Sequence, residues 1–225
     1  MIAVEDTVLI LLAAGRSERF GDTFNKLDQP FLSRPLGLHV AVALEEMPFR
    51  ERIVVVDGCT IDYARHGFRV LHNEAPDRDM ASSVRMGVEC AKARDASAVL
   101  IALADMPRVT AAHIYRMFDA TEGLDDDAVV ASSDGRTPRP PALFGRGRFD
   151  DVLAITGDQG ARDLIQSGRH VVTNAAELID VDTPDDLEQL RALVHAPEPL
   201  SRPDSHALRG GDAEARINAV RDLLA

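Results

Sequence analysis

The chain contains no tryptophan, and aromatic residues make up only 4% of its 225 residues. An aromatic platform for stacking single-stranded nucleic acid has no material to be built from. Positive charge is also in deficit: the net charge is -12 at pH 7, which argues against non-specific binding to DNA or to acidic membranes. No apolar run is long enough to span a bilayer, and the first one follows Glu5 and Asp6 rather than a basic flank, so a cytoplasmic protein with no membrane or nucleic-acid partner is expected. The two cysteines, Cys59 and Cys90, are far apart; they read as reduced, partly buried thiols rather than a zinc or redox pair. The seven histidines form neither HxH nor HExxH. Met80, Met86, Met106 and Met117 read as core filler.

What is present is an alternation. Apolar, strand-like runs fall at 7–12, 52–57, 68–73, 97–104, 127–132 and 170–174, and helical patterns fall at 35–47, 82–94, 110–122, 158–167 and 183–194. Several of the strands are apolar throughout, as strands covered on both faces are. The expected class is α/β, a mostly parallel twisted sheet with helices on both faces, of Rossmann-like architecture. Thr183 is the expected N-cap of the last of these helices, with Pro184 at its first position. The expected domain is 1–194; a Pro- and Gly-rich linker follows over 195–211, and a helix over 212–225.

The stretch VLILLAAGRSERFGDTFNKL, residues 8–27, ends a buried strand in small residues followed by Arg16, Arg19 and Lys26. Ligands of open parallel sheets bind beyond the carboxyl ends of strands. Small residues let a flat base or a phosphate approach the backbone, and the three cations can neutralise a polyphosphate. The P-loop spacing GxxxxGK[ST] is absent, as is the GxGxxG of a dinucleotide fold, although Asp57 imitates the ribose-binding acid of the latter. The expected ligand is an anion. A plain turn with exposed charges is the alternative.

Five blocks in order carry a more specific resemblance. LLAAGRSERFGDTFNKL resembles the signature LAAGxSxRMGxxNKLL of the MobA-like nucleotidyltransferases, with Phe20 in place of Met and one residue inserted before Asn25. DMASSVRMGV (79–88), ALADMPRVT (102–110), PPALFGRGRFDDVLAITGDQGARDLI (140–165) and IDVDTPDDL (179–187) resemble the blocks that follow it in that family. The resemblance implies transfer of a nucleoside monophosphate from an NTP to a phosphate-bearing acceptor, with release of pyrophosphate. It assigns nucleotide binding to Leu12, Ala13, Ala14, Gly15, Arg16, Ser17, Arg19, Lys26, Ser82 and Ser83, and catalysis to Arg16, Lys26 and Asp105. It implies Mg2+ held by Asp105 and by Asp182 as second ligand, with Asp180 behind them. The alternative for Asp182 is a carboxylate that favours the N-terminus of the following helix. For the serine block, Ser82 or Ser83 is the expected N-cap, with Ser83 reaching the base or ribose; Asp79 stands where the family has Gly.

Within the family, LAAG rather than LAGG at the first loop is the mark of cytidylyltransferases, so CTP is the expected donor and molybdopterin, or its molybdenum-loaded form, the expected acceptor. The protein is then closest to a molybdenum cofactor cytidylyltransferase, with a molybdoenzyme or its accessory protein as partner. Arg139-Pro140-Pro141 replaces the GHP common on the acceptor side, and Arg136, Arg139, Arg146 and Arg148 are candidates for an acidic pterin phosphate. The rival readings are a guanylyltransferase, a sugar-phosphate nucleotidyltransferase, and a nucleotide-binding protein that delivers cofactor without turnover.

Overall fold

Seven strands form one sheet in the computed structural model, which describes residues 1–15, 20, 25–75 and 79–195. Strand β1 (Thr7–Ala13) is buried at every residue, the result of seven consecutive positions that are apolar but for Thr7. Around it lie β4 (Glu51–Val56), β5 (Arg69–His72), β6 (Ala98–Leu103), β7 (Val129–Ser133), β8 (Pro138–Gly145) and β9 (Arg169–Val172), in the order β5-β4-β1-β6-β8-β7-β9. All neighbours pair in parallel except at β8, which is antiparallel to both β6 and β7. A small antiparallel hairpin, β2 (Pro30–Phe31) with β3 (Arg34–Pro35), stands apart from the sheet.

Alternate residues of each central strand enter two different cores. Leu9, Leu11 and Val54 pack with helices α1 (Leu38–Ala43) and α3 (Ala111–Asp119). Val8, Ile10 and Ile53 pack with α2 (Met80–Ala93), α4 (Phe149–Leu153) and α5 (Gly157–Gln166). The expected helices on both faces of a mostly parallel sheet are therefore present. Gly87 of α2 shows how close that packing is: a Cβ there would lie 2.6 Å from Cγ2 of Ile10.

Four local expectations are corrected. The helix expected over 35–47 is shorter, because Arg34 and Pro35 pair in the hairpin and Gly37 is the N-cap of α1. Strand β8 escapes a sequence reading because of Pro138, Pro140 and Pro141. These prolines are tolerated because the ladder with β6 begins only at Ala142, so none of them removes a donor from that ladder. Met106 and Met117 are core residues, but Met80 is exposed at the first position of α2. Lastly, the N-cap of α2 is Asp79, not Ser82 or Ser83, and its carboxylate accepts from the Ser82 backbone N–H.

No described helix is long and apolar enough to cross a membrane. Residues Met1–Arg191 make one unit and Ala192–Ala225 a second. Helix α6 runs from Pro184 to His195; the rest of the linker expected over 195–211, and the helix expected over 212–225, lie outside the described residues.

Candidate active site

The strand register brings several chain segments out along one edge of the sheet. Ala13 pairs with Val56, Val56 with His72, and Leu12 with Leu103. The segments beginning at Ala14, Asp57, Asn73 and Ala104 therefore leave the sheet side by side, at the carboxyl ends of parallel strands. The Ala104 N–H donates to the Leu12 carbonyl at 3.0 Å, carrying the β1–β6 ladder one residue further and fixing where Asp105 emerges.

Lys26 is the centre of this edge. The turn that holds it, Lys26–Asp28, is capped by the Asn25 side chain, which accepts from the Leu27 N–H. Burial of Leu27 pins the turn against the core. The lysine is 6% exposed, and its Nζ donates to Oδ2 of Asp105 at 2.6 Å and to Oδ1 of Asp182 at 2.9 Å. One ammonium thus joins two carboxylates from separate segments of the chain, 79 and 156 residues further on. Burial alone would lower the lysine pKa, but Asp105 and Asp182 together outweigh it and raise the value, so the side chain is an ammonium throughout the neutral range. For Asp105 burial acts in the same direction as the neighbouring Asp182 and Asp180, and its pKa is raised despite Lys26.

A second strap explains why Asp182 arrives here. The Val181 N–H donates to the Asp105 carbonyl at 3.0 Å, setting residues 180–182 alongside the end of β6. The hydrogen-bonded cap of α6 does not use the Asp182 carboxylate. Thr183 and Asp186 perform the capping reciprocally: the Asp186 N–H donates to Oγ1 of Thr183, while Oδ2 of Asp186 accepts from the N–H groups of Asp182 and Thr183 and from the Thr183 hydroxyl. The Asp182 carboxylate meets Lys26 instead.

The residues present fit a hard divalent cation. Oδ1 of Asp105 is buried and has no hydrogen-bond partner among the described residues, an arrangement that costs free energy unless something positive faces it. Two carboxylates with phosphate oxygens and water make the donor set Mg2+ prefers. Among the described residues no group of three or more His, Cys, Asp or Glu could hold a metal, so the nucleotide would have to complete the coordination.

The other expected site residues divide into three groups. Leu12 and Ala13 lie within β1 with their side chains in the two cores, so only backbone is available from them; Ala14 is also buried. Gly15 sits against the lysine, where a Cβ would come 3.9 Å from Cε of Lys26. Arg16, Ser17 and Arg19 lie outside the described residues. Ser82 and Ser83 are buried in the first turn of α2, and both hydroxyls accept from Nδ2 of Asn73, at 2.9 and 2.8 Å. Asn73 is the residue that sequence reasoning missed. It closes β5 onto α2, taking Val56 O with its own N–H and Ala75 N–H with its Oδ1.

The arginines proposed for an acceptor phosphate do not act together. Arg139 stands on the active edge of β8, with Asp134 at 3.5 Å and Asp180 at 4.0 Å. Arg146 and Arg148 lie past the other end of that strand, where Gly145 pairs with Ala98 at the start of β6. There they bond to Asp95 and Asp151. They are thus corrected to structural ion pairs at the opposite edge of the sheet.

A mostly parallel sheet that gathers small residues, a buried lysine and two aspartates at its carboxyl edge defines a nucleotide-handling α/β protein. The comparisons narrow this. The chain matches the MobA-like NTP transferase domain over residues 9–173 and belongs to that family. Purine catabolism protein PucB of Bacillus subtilis is 27% identical over 201 residues, 81% of this chain and 94% of PucB. The bifunctional protein GlmU of Rhizorhabdus wittichii is 31% identical over 172 residues, 71% of this chain but only 37% of GlmU. Among solved structures, Rv0371c from Mycobacterium tuberculosis H37Rv superposes with a TM-score of 0.66 at 27% identity, covering 82% of this chain and 96% of that one.

Proposed function

We propose that this protein is a cytidylyltransferase that transfers CMP from CTP to molybdopterin or its molybdenum-loaded form, in the cytoplasm, and releases pyrophosphate. One observation carries the reading: the Lys26 ammonium held between Asp105 and Asp182 at the carboxyl edge of the sheet, in a chain of the MobA-like family. Asp105 and Asp182 would hold a divalent cation, Mg2+ in the cell, which would supply positive charge to the phosphates of the nucleotide. Rv0371c has been crystallised with manganese, which supports use of such an ion.

The chain's own work is positioning and charge. Lys26 exchanges its carboxylate partners for phosphate oxygens when nucleotide arrives, and Arg16, with Arg19 nearby, neutralises the triphosphate. The backbone from Leu12 to Gly15, Ser17 and the Asn73–Ser82–Ser83 cluster shape the side where base and ribose lie. An acceptor phosphate oxygen then attacks the α-phosphorus. The bond to the bridging oxygen breaks, and that oxygen leaves with the pyrophosphate. CTP is favoured over GTP because Ala13 and Ala14 hold a backbone path that a glycine would free. The product would be the cytosine dinucleotide form used by xanthine dehydrogenase-type enzymes, and PucB is named for purine catabolism. A partner molybdoenzyme or its accessory protein would receive the product. Arg139-Pro140-Pro141, in place of the family's GHP, favours one second reading, a sugar-phosphate acceptor.

The test is pyrophosphate release from each of the four NTPs with molybdopterin and with a panel of sugar phosphates. Two mismatched base-edge contacts at about 1–3 kcal/mol each would separate CTP from GTP by roughly thirtyfold or more in kcat/KM. A preference for GTP would defeat the cytidylyl assignment. Turnover only with a sugar phosphate would replace the acceptor, and no pyrophosphate with any pair would leave a binding protein.

A further inference from the structure

Two arginines of this acidic chain are left without partners in the same place. Arg34, in the β2–β3 hairpin, and Arg108, three residues after Asp105, line a depression of about 480 Å3 together with Ser33, His39 and Thr110. Neither guanidinium makes an ion pair or hydrogen bond among the described residues, and Nε of Arg108 is buried without an acceptor. Elsewhere Arg94, Arg116, Arg139, Arg146 and Arg148 all face carboxylates; Arg85 and Arg136 make no ion pair among the described residues, but neither lines this depression. A chain of net charge -12 has carboxylates to spare for such pairs, yet among the described residues none pairs with these two cations.

The remaining walls leave that positive charge uncompensated. Glu177 borders the depression, but its carboxylate is occupied by the hydroxyls of Thr110 and Thr173 and by Arg116 at 3.8 Å. His39 is held by the Phe31 carbonyl at 2.9 Å, and burial, with Arg34 beside it, keeps its pKa below the usual value, so it is a neutral wall that neither adds to nor offsets the charge of the arginines. Helix α3 begins at Ala111, directly after the lining residue Thr110, and brings the positive end of its dipole. Lys26, Asp105 and Asp182 are not among the lining residues, so the depression is separate from that cluster.

We propose that this depression is a second anion site that binds the phosphate group of a small molecule, between the forked guanidiniums of Arg34 and Arg108. Two guanidinium forks match a tetrahedral dianion better than a planar carboxylate, since each can take a different pair of its oxygens. The inference does not depend on the donor nucleotide or acceptor. Its nearness in sequence to Asp105 means that an occupant restrains the 106–109 turn on which that aspartate is mounted.

The experiment is a titration of the 15N-labelled full chain with inorganic phosphate, followed by NMR, with succinate as the second arm. Saturable shifts are expected at the amides of Ser33, Arg34, Arg108 and Thr110, with phosphate binding at least tenfold tighter than succinate. R34Q/R108Q should weaken these shifts at least tenfold, each single substitution should give an intermediate loss, and K26M should leave them in place; the spectrum of each variant reports its own folding. No saturable shift at these amides, shifts that survive R34Q/R108Q, or succinate binding as tightly as phosphate would each overturn the proposal.

Discussion

Asp105→Asn is expected to lose turnover by about a hundredfold or more, the equivalent of roughly 2.7 kcal/mol of transition-state stabilisation. The substitution keeps the shape of the side chain. It removes the charge from Oδ2, which holds Lys26, and puts an amide in place of one of the two carboxylate oxygens. The side chain is only 18% exposed, not set in an open solvated cleft, so it also contributes to the apo fold through Lys26. Some loss of Tm is therefore expected, because breaking one arm of a largely buried ion pair leaves part of the charge uncompensated. Turnover should be measured well below that Tm, with circular dichroism as the control. Retention of near-wild-type turnover would remove Asp105 from the chemistry and leave it a structural partner of the lysine.

Lys26→Met is expected to lower kcat ten- to hundredfold, the equivalent of about 1.5–3 kcal/mol for a hydrogen bond to a charged group, and to raise the KM for nucleotide by less. The asymmetry follows from where charge goes: negative charge gathers on the leaving pyrophosphate as the bond breaks, so the ammonium matters more in the transition state than in the ground state. A pure KM effect would make Lys26 a ground-state anchor. The same substitution leaves Asp105 and Asp182 facing one another without the ammonium that now bridges them. Added Mg2+ should therefore raise the Tm of Lys26→Met by more than that of the wild type, a readout that does not need turnover.

The fold was legible where the physics is local. β1 is apolar from Val8 to Ala13 because both of its faces are covered, and an unbroken apolar run is what such a strand looks like. β8 was not legible, since three prolines argue against a strand until it is known that its ladder with β6 starts after them. The N-cap of α2 was ambiguous for a related reason: Asp79, Ser82 and Ser83 are all capping residues within one turn. The donation from Asn73, with the serine hydroxyls donating in turn to the Asp79 carbonyl, shows why the serines do not cap the helix. A single Asn after a strand carries no periodic signal that could have announced this.

The site divides in the same way. Lys26 and Asp105 stood out from the chemistry of a strand end and from the family pattern, but their contact spans 79 residues of sequence and no spacing rule reports it. Asp182 sits next to a helix N-terminus in sequence as in space, and no pattern in the sequence told that Thr183 and Asp186 would close the capping box while Asp182 meets Lys26. Arg146 looked like a neighbour of Arg139 because the two are close in sequence. A strand rises about 3.3 Å per residue, so seven residues of β8 carry them roughly 20 Å apart to opposite edges of the sheet.

The central claim is that Asp105 and Asp182 together hold the divalent cation of a bound nucleotide. It is tested most directly by electron paramagnetic resonance of Mn2+ titrated into the protein with CTP, comparing the wild type with Asp105→Asn, Asp182→Asn and Asp180→Asn. The account predicts a bound Mn2+ signal that depends on CTP, is weakened at least tenfold in affinity by Asp105→Asn, is weakened less by Asp182→Asn, and is unchanged by Asp180→Asn. Equal Mn2+ affinity in the wild type and the Asp105 and Asp182 variants would contradict it.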